Sequence, residues 1–232
     1  MPSGLKWAAC NVGAANPWDY GDYFAWGETV GYGKSDLSNA HNYAYSNTYV
    51  KTYYAWNTYK WCNGTTENTL TKYNINNYYG SVVDNKTVLN LEDDAARANM
   101  GSFWRMPTWD EQQELLNNCY WEWTDDYNGK GVKGYVVYKV KNTSDKGEKK
   151  YKGKTVTLVG SYSLADAHIF LPAAGGLNEN EFHNIGSDGL YWSSLLNEGS
   201  PNHVYYMRLN SDYVDRYDSG RYEGHSVRAV VE

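Results

Sequence analysis

Tyrosine and tryptophan supply the bulk that aliphatic side chains bring to most cores, and any fold open to this chain must be built around them. Among 232 residues there are 24 Tyr and 10 Trp, whereas Leu, Ile, Val and Phe together number 39. So few aliphatics would point to disorder in a highly charged chain. Here the formal charge is only −6 and aromatics are abundant, the reverse of a disordered composition. The sequence describes a globular chain with an aromatic core and a tyrosine-bearing surface. Its length suits one large domain or two small ones.

Charge and cysteine content remove several function classes. A mildly acidic chain without a Lys/Arg stripe is poorly made for nucleic acid, because it cannot displace phosphate counterions. The one basic cluster, Lys146 to Lys154, sits among Gly, Ser and Asp and reads as a solvated hairpin tip. No apolar run approaches the roughly 18 residues of a membrane span. Cys10, Cys62 and Cys119 include no CxxC pair, so a zinc cluster is not supported. They read as buried thiols, with one disulfide left open. Met1-Pro2-Ser3-Gly4 leads straight into Leu5-Lys6-Trp7, without a secretion signal. The chain is then either cytoplasmic or, the preferred reading, a mature fragment with an added Met.

Helix signals are few. Thr108-Trp109-Asp110-Glu111 is a T-x-x-E capping box after Pro107 and predicts a helix to about Asn118. A shorter helix is expected over Leu91–Ala98, with acids at its start. Tyr135–Val140 and Lys154–Val159 read as a β-hairpin, and His168–Pro172 as a buried strand. Tyr191–Ser194, Val204–Leu209 and Ser226–Val230 read as a carboxy-terminal sheet. The class is α+β in a single domain over residues 1–232, with two short helices, small antiparallel sheets and long ordered loops. Loops this long are usually functional.

Several motifs fail on chemistry. Gly33-Lys34-Ser35 ends like a phosphate-binding loop, yet Glu28 stands where its first Gly belongs and would repel phosphate. Asp212, Asp215 and Asp218 invite a calcium reading, but their spacing of three does not match a loop with carboxylates at alternate positions. His41, His168, His183, His203 and His225 have no metal-ligand spacing. Glu179 and Glu181 beside His183 are the best candidates for an acid/base pair, without a spacing that requires one. No catalytic residue, cofactor or metal ligand is therefore assigned.

The carboxy-terminal stretch is different. Along Val204 to Asn210, alternation places Tyr205, Met207 and Leu209 on an inward face and Tyr206, Arg208 and Asn210 on an outward one. The loop from Asp212 to Gly220 would lie beside that outward face. Tyr, Ser, Gly, Asn and Arg are the residues of binding surfaces, where tyrosine gives rigid amphipathic contact area. An ordinary polar sheet edge is the plain alternative.

Motifs along nearly the whole chain resemble one family. They are Leu5-Lys-Trp-Ala-Ala-Cys-Asn-Val-Gly13, Asp19-Tyr-Gly-Asp-Tyr-Phe-Ala-Trp-Gly-Glu28, Tyr59-Lys-Trp-Cys-Asn-Gly64 and Asp93-Asp-Ala-Ala-Arg97. Trp104-Arg-Met-Pro-Thr108, Ile169-Phe-Leu-Pro-Ala-Ala-Gly175, Gly189-Leu-Tyr-Trp-Ser-Ser194 and Gly224-His-Ser-Val-Arg228 follow in order. The sequence resembles surface domains of gut Bacteroidales with a C-type lectin-like fold, related in fold to the formylglycine-generating enzyme. Some members are variable proteins of diversity-generating retroelements. Residues 30–55 and 141–166 depart from the pattern as divergent insertions.

The resemblance implies a variable binding region over about 186–232. In diversified members, random replacement of adenines in Asn codons excludes Lys, Glu, Gln, Met and Trp. The implied ligand-binding positions are Asn202, His203, Tyr206, Arg208, Asn210, Asp212, Tyr213, Asp215, Tyr217, Asp218, Ser219, Gly220 and Tyr222, and every one holds a permitted type. Met207 and Glu223 fall outside the set. The enzyme branch works through a carboxy-terminal cysteine pair, which this chain lacks beyond Cys119. Ser200-Pro201-Asn202 is a poor echo of the calcium motif of vertebrate lectins.

The expectation is a non-enzymatic recognition domain, an adhesin or receptor-binding protein. It would display its face at a cell surface or on a phage particle, to a protein or glycan of another cell or phage host. An undiversified paralogue or carbohydrate-binding module is the alternative, and an enzyme a more distant one. Arg221 and Arg228 are expected to anchor loops rather than bind ligand.

Overall fold

A computed structural model of the chain describes residues 3–32 and 51–231. Most of the expected insertion at 30–55, with Gly33-Lys34-Ser35 and His41, lies outside the described residues. The architecture is mixed α+β, with few helices and small sheets.

The capping box forms as its sequence predicts. Helix α2, Trp109–Asn118, starts at Thr108, whose hydroxyl accepts from the Glu111 N–H at 3.2 Å. The Glu111 carboxylate accepts from the Thr108 N–H at 2.8 Å and holds Arg105 in a bidentate pair at 2.6 and 2.7 Å. The helix buries Trp109, Gln112, Leu115 and Leu116. The expected helix over Leu91–Ala98 is instead broken in two. A 3₁₀ turn covers Leu91–Asp93, and helix α1 runs over Ala95–Met100. Asp94 causes the break. Its backbone is extended, and its carboxylate accepts from Ala96 and Arg97 as an N-cap and from the Met106 N–H at 2.7 Å.

Four strands make the largest sheet: β2, Cys119–Thr124; β3, Gly134–Lys139; β4, Lys149–Lys150; and β5, His168–Pro172. Their order is β4-β2-β3-β5, antiparallel except for the parallel β4–β2 pair. This corrects two expectations. Lys154–Val159 is not the hairpin partner of β3; that place belongs to β2. The Asp145 carboxylate takes the Val159 and Gly160 N–H groups, each at 2.8 Å, and the Tyr162 hydroxyl at 2.6 Å. A side chain thus satisfies donors that a ladder would otherwise use. The basic run is likewise no solvated tip, because Lys149–Lys150 pairs with Trp121–Glu122 and Lys150 meets Glu122 at 2.6 Å.

A three-stranded antiparallel sheet joins β8, Gly189–Leu196; β9, His203–Leu209; and β10, Val214–Gly220, with β9 in the centre. Strands β6, Gly176–Asn178, and β7, Glu181–His183, form a hairpin beside it. Strand β1, Lys6–Trp7, pairs antiparallel with β11, Val230–Val231. The rest of the expected Ser226–Val230 strand makes single bridges only. Among the described residues no helix is long and apolar enough to cross a membrane. Cys10, Cys62 and Cys119 are thiols, not disulfides; Cys119 is buried and the other two are half-buried.

The core is aromatic, and its rings carry polar tips that need partners when buried. Those partners are backbone carbonyls of loops and strands. Trp26 donates to Ser193 O at 2.9 Å, Trp192 to Phe24 O at 2.7 Å, Tyr59 to Trp26 O at 2.7 Å, and Tyr191 to Pro172 O at 2.7 Å. Two buried arginines act in the same way. Arg228 donates to Ala8 O, Ala9 O and Phe170 O and to the Asn11 side chain, at 2.6–3.0 Å. Arg221 donates to Tyr73 O and Pro201 O and also to Lys72 O. Burial pushes both guanidinium pKa values down.

Arg228→Met strands two buried carbonyls, those of Ala8 and Phe170, and the part-buried one of Ala9, and is expected to cost about 3 kcal/mol or more. Thr108→Ala removes a single cap and should cost about 1 kcal/mol. Urea midpoints of the two variants check both the direction and the ranking.

Candidate functional site

The carboxy-terminal residues meet on the β8–β9–β10 sheet, but not as simple alternation predicts. Alternation assumes one wet face, and central strand β9 has none. Val204 and Tyr206 pack into the cluster of Trp26, Trp192 and Ala229, while Met207 and Leu209 pack with Trp109 and Leu115 on the other side. Tyr206 is only 7% exposed, its ring set edge-on to Trp192 at 5.8 Å and against His225 at 4.8 Å. Tyr206 is thus mostly buried rather than outward, and its remaining surface lines the cleft described below. Met207 is inward, as expected.

Three more expected positions are structural. Asn202 is buried; its side-chain NH2 donates to Glu67 at 3.1 Å and its backbone carbonyl accepts the Arg221 backbone N–H. Asn210 builds the β9–β10 turn, its side-chain oxygen accepting from the Asp212 and Tyr213 N–H groups at 2.9 and 3.1 Å. Gly220 is buried where the Tyr222 ring passes, and a Cβ there would come within 2.6 Å of that ring. Tyr222 itself is half-buried, packed on Trp56 at 4.7 Å between ring centroids.

The remaining positions divide between the two faces of β10. Registry sets Tyr217 beside Tyr206, Asp215 beside Arg208 and Ser219 beside Val204 on one face. Asp218, opposite Tyr205, lies on the other face and accepts from Asn197 at 3.1 Å and meets His203 at 2.8 Å. Asp215 and Asp218 therefore point apart, and with Asp212 in the turn the three do not converge on a cation. Among the described residues no group of three or more His, Cys, Asp or Glu side chains is placed to hold a metal. On the Asp218 face, Arg216 lies over Tyr205 at 4.5 Å and Trp109 at 5.3 Å.

What the fold does bring together is Arg208, Tyr213 and Tyr217, and Arg208 also lines a cleft with Tyr206 in its wall. The Tyr213 and Tyr217 rings are 5.8 Å apart, and the Arg208 guanidinium lies 5.6 and 5.4 Å from them. Asp188, buried, holds Arg208 at 2.9 Å and keeps it charged. Tyr217 is 39% exposed and Tyr213 half-exposed, with the Tyr213 hydroxyl pushed up to about 12 by burial and by its neighbour Tyr217. The cleft has a volume of about 270 Å³ and runs between β9 and the β6–β7 hairpin. Asn178, His183 and Asn184 form its far wall, with Glu223 and His225 beside Tyr206.

Comparison of the chain with protein-family models, with curated proteins and with solved structures finds no match. The site therefore rests on its own geometry. An arrangement of two accessible phenols, one guanidinium and a polar cleft suits non-covalent recognition. Of the trio Glu179, Glu181 and His183, only His183 lines the cleft; Glu179 sits in the tight turn between β6 and β7 with positive φ, and Glu181 is exposed.

Sequence reasoning missed Asp188, Asn178, Asn184, Glu223 and His225. They come from two distant tracts, 178–188 and 223–225, which spacing does not join. Gly224-His225-Ser-Val-Arg228 was the available signal, and only its arginine was legible. His225 stacks on Trp192 at 3.9 Å and approaches Glu223 at 3.4 Å. Burial lowers its pKa below the usual 6.5, against the opposing pull of Glu223. A depressed histidine pKa means that the unfolded chain binds the extra proton first. Stability is then complete above about pH 6.5 and falls as pH drops below it. Thermal melts across pH 7 to 5 should show this loss, and His225→Gln should flatten it.

Proposed function

We propose that this chain is a non-enzymatic recognition domain of C-type lectin-like fold, which binds a protein or glycan through Tyr213, Tyr217 and the Arg208 they flank, the last of which lines the polar cleft. The observation that carries the reading is the separation of accessible aromatic surface from the residues that hold the fold. Tyr213 and Tyr217 stand on a turn and an edge strand, whereas Tyr206, Met207 and Leu209 beside them are buried. A rigid central strand thus supports side chains whose replacement leaves the core intact. Tyrosines give contact area at low entropy cost, and Arg208 adds directional hydrogen bonding.

The fold reading draws on the order of motifs along the chain and on its two short helices, small sheets and long loops. His203, Asp212, Asp215 and Asp218 extend the recognition surface and select by charge. In this reading the tail is diversified at such exposed positions, while Asn202, Tyr206, Asn210 and Gly220 are constrained by packing. The domain acts at a cell surface or on a phage particle.

Tyr213→Ala with Tyr217→Ala should abolish capture on combined glycan and protein arrays and leave the melting temperature within a few degrees of the parent. Tyr206→Ala should lower stability by about 3 kcal/mol or more, as for other large aromatic truncations. Retained capture by the double variant would refute the site. For diversification, a neighbouring reverse-transcriptase gene and an imperfect copy of the gene's last segment, differing at adenines, are expected in the genome. Absence of both leaves an undiversified binding module.

A further inference from the structure

A second cavity shares no residue with the recognition cleft. It is an open groove of about 570 Å³ between β1, the end of α2 and the adjoining ends of β3 and β5. That volume lies within the roughly 300–1,000 Å³ of small-molecule sites. Trp7, Leu115, Val137 and Ile169 form its floor, with Leu5 and Val140 on its walls. Trp7, Val140 and Ile169 are only half-buried, so apolar surface is left facing solvent.

The charges around the groove have one sign. Lys6, Lys139 and Lys146 line it, all exposed, and no carboxylate does. Among the described residues none of these three lysines has an ion pair within 4 Å, in a chain of net charge −6. Other polar groups at the edge are already engaged. His168 meets Tyr127 through one ring nitrogen and the Asp166 carbonyl through the other. The helix-end carbonyls of Leu115 and Leu116 accept from Trp121 and Lys149. What remains for a ligand is an apolar trough edged by unpaired positive charge.

We propose that this groove binds a small amphipathic carboxylate, its apolar body on Trp7, Val137, Val140 and Ile169 and its anionic group among Lys6, Lys139 and Lys146. The apolar body removes the half-buried surface from water. The carboxylate meets charge-assisted donors from lysines that line the groove, where a neutral hydroxyl makes only weaker hydrogen bonds. Complementary charge selects the occupant: a purely apolar ligand leaves the lysines idle, and acetate leaves the trough wet.

Calorimetric titration of the full chain with decanoate, 1-decanol and acetate tests this. Decanoate should saturate at one site, 1-decanol should bind about tenfold more weakly or worse, and acetate should give no signal. Lys6→Ala/Lys139→Ala/Lys146→Ala, all at exposed positions, should weaken decanoate about tenfold without moving the melting temperature. Val140→Glu, which sets a carboxylate in the wall, should abolish binding. Tyr213→Ala/Tyr217→Ala should bind decanoate as the parent does, which separates this site from the recognition face. Equal affinity for decanoate and 1-decanol, or no effect of the lysine variant, would overturn the proposal. So would absence of saturation, or a concentration-dependent dimer that occupies the groove.

Discussion

Loop backbone far from any ladder needs hydrogen-bond partners, and in this fold buried side chains provide them. Arg228 binds the carbonyls of two distant segments, Ala8–Ala9 and Phe170, and Arg221 ties Lys72–Tyr73 to Pro201. Neither has an ion-pair partner among the described residues, so each cation is balanced by carbonyl dipoles. Burying a charge is costly unless its donors are met: Arg228 engages its Nε and both terminal nitrogens, whereas Arg221 engages its two terminal nitrogens and leaves its buried Nε without a partner. The indole and phenol tips of Trp26, Trp192, Tyr59 and Tyr191 extend the same logic with neutral groups. The aromatic composition is thus a way of ordering loops as well as of filling space. It explains how a chain with small sheets and two short helices holds long irregular segments in place.

That frame gives the β8–β9–β10 sheet its character. Central strand β9 is packed on both faces, with helix α2 against one of them. Gln112 fixes the helix to the sheet by donating to the carbonyls of Tyr191 and Trp192. Freedom is left at the β9–β10 turn and along β10, where Tyr213, Asp215 and Tyr217 stand. Arg208 lies between the two regimes. Its stem belongs to the packed strand, its head to the two phenols, and Asp188 holds it from behind.

The sequence was most legible where local chemistry decides the outcome. The Thr108 box, the β-branched run of β3 and the proline-ended β5 all formed within a residue or two of expectation. It was least legible where a distant side chain decides. Lys154–Val159 alternates like a strand, yet Asp145 claims the donor at its end, Val159 N–H, and Lys154 N–H turns back to the Tyr151 carbonyl. Cys119–Thr124 follows α2 with no turn residue between, so β2 carried no boundary signal. Tyr206 was misplaced because a period of two reveals sidedness only when one side is wet, and Asn202, implied by resemblance alone, carried no burial signal of its own. The cleft was invisible for a further reason: Asn178, Asp188, Arg208 and His225 share no spacing and are joined only by tertiary folding.

Strand β1 and strand β11 lie antiparallel, with Lys6 opposite Val231 and Trp7 opposite Val230. A mechanical consequence follows from that geometry. A force applied through both ends would load this short pair one rung at a time, peeling it open at low tension before the aromatic interior felt any strain. Tension between one end and the body of the domain would instead pass through the strand at that end and bear on the same two rungs from one side only.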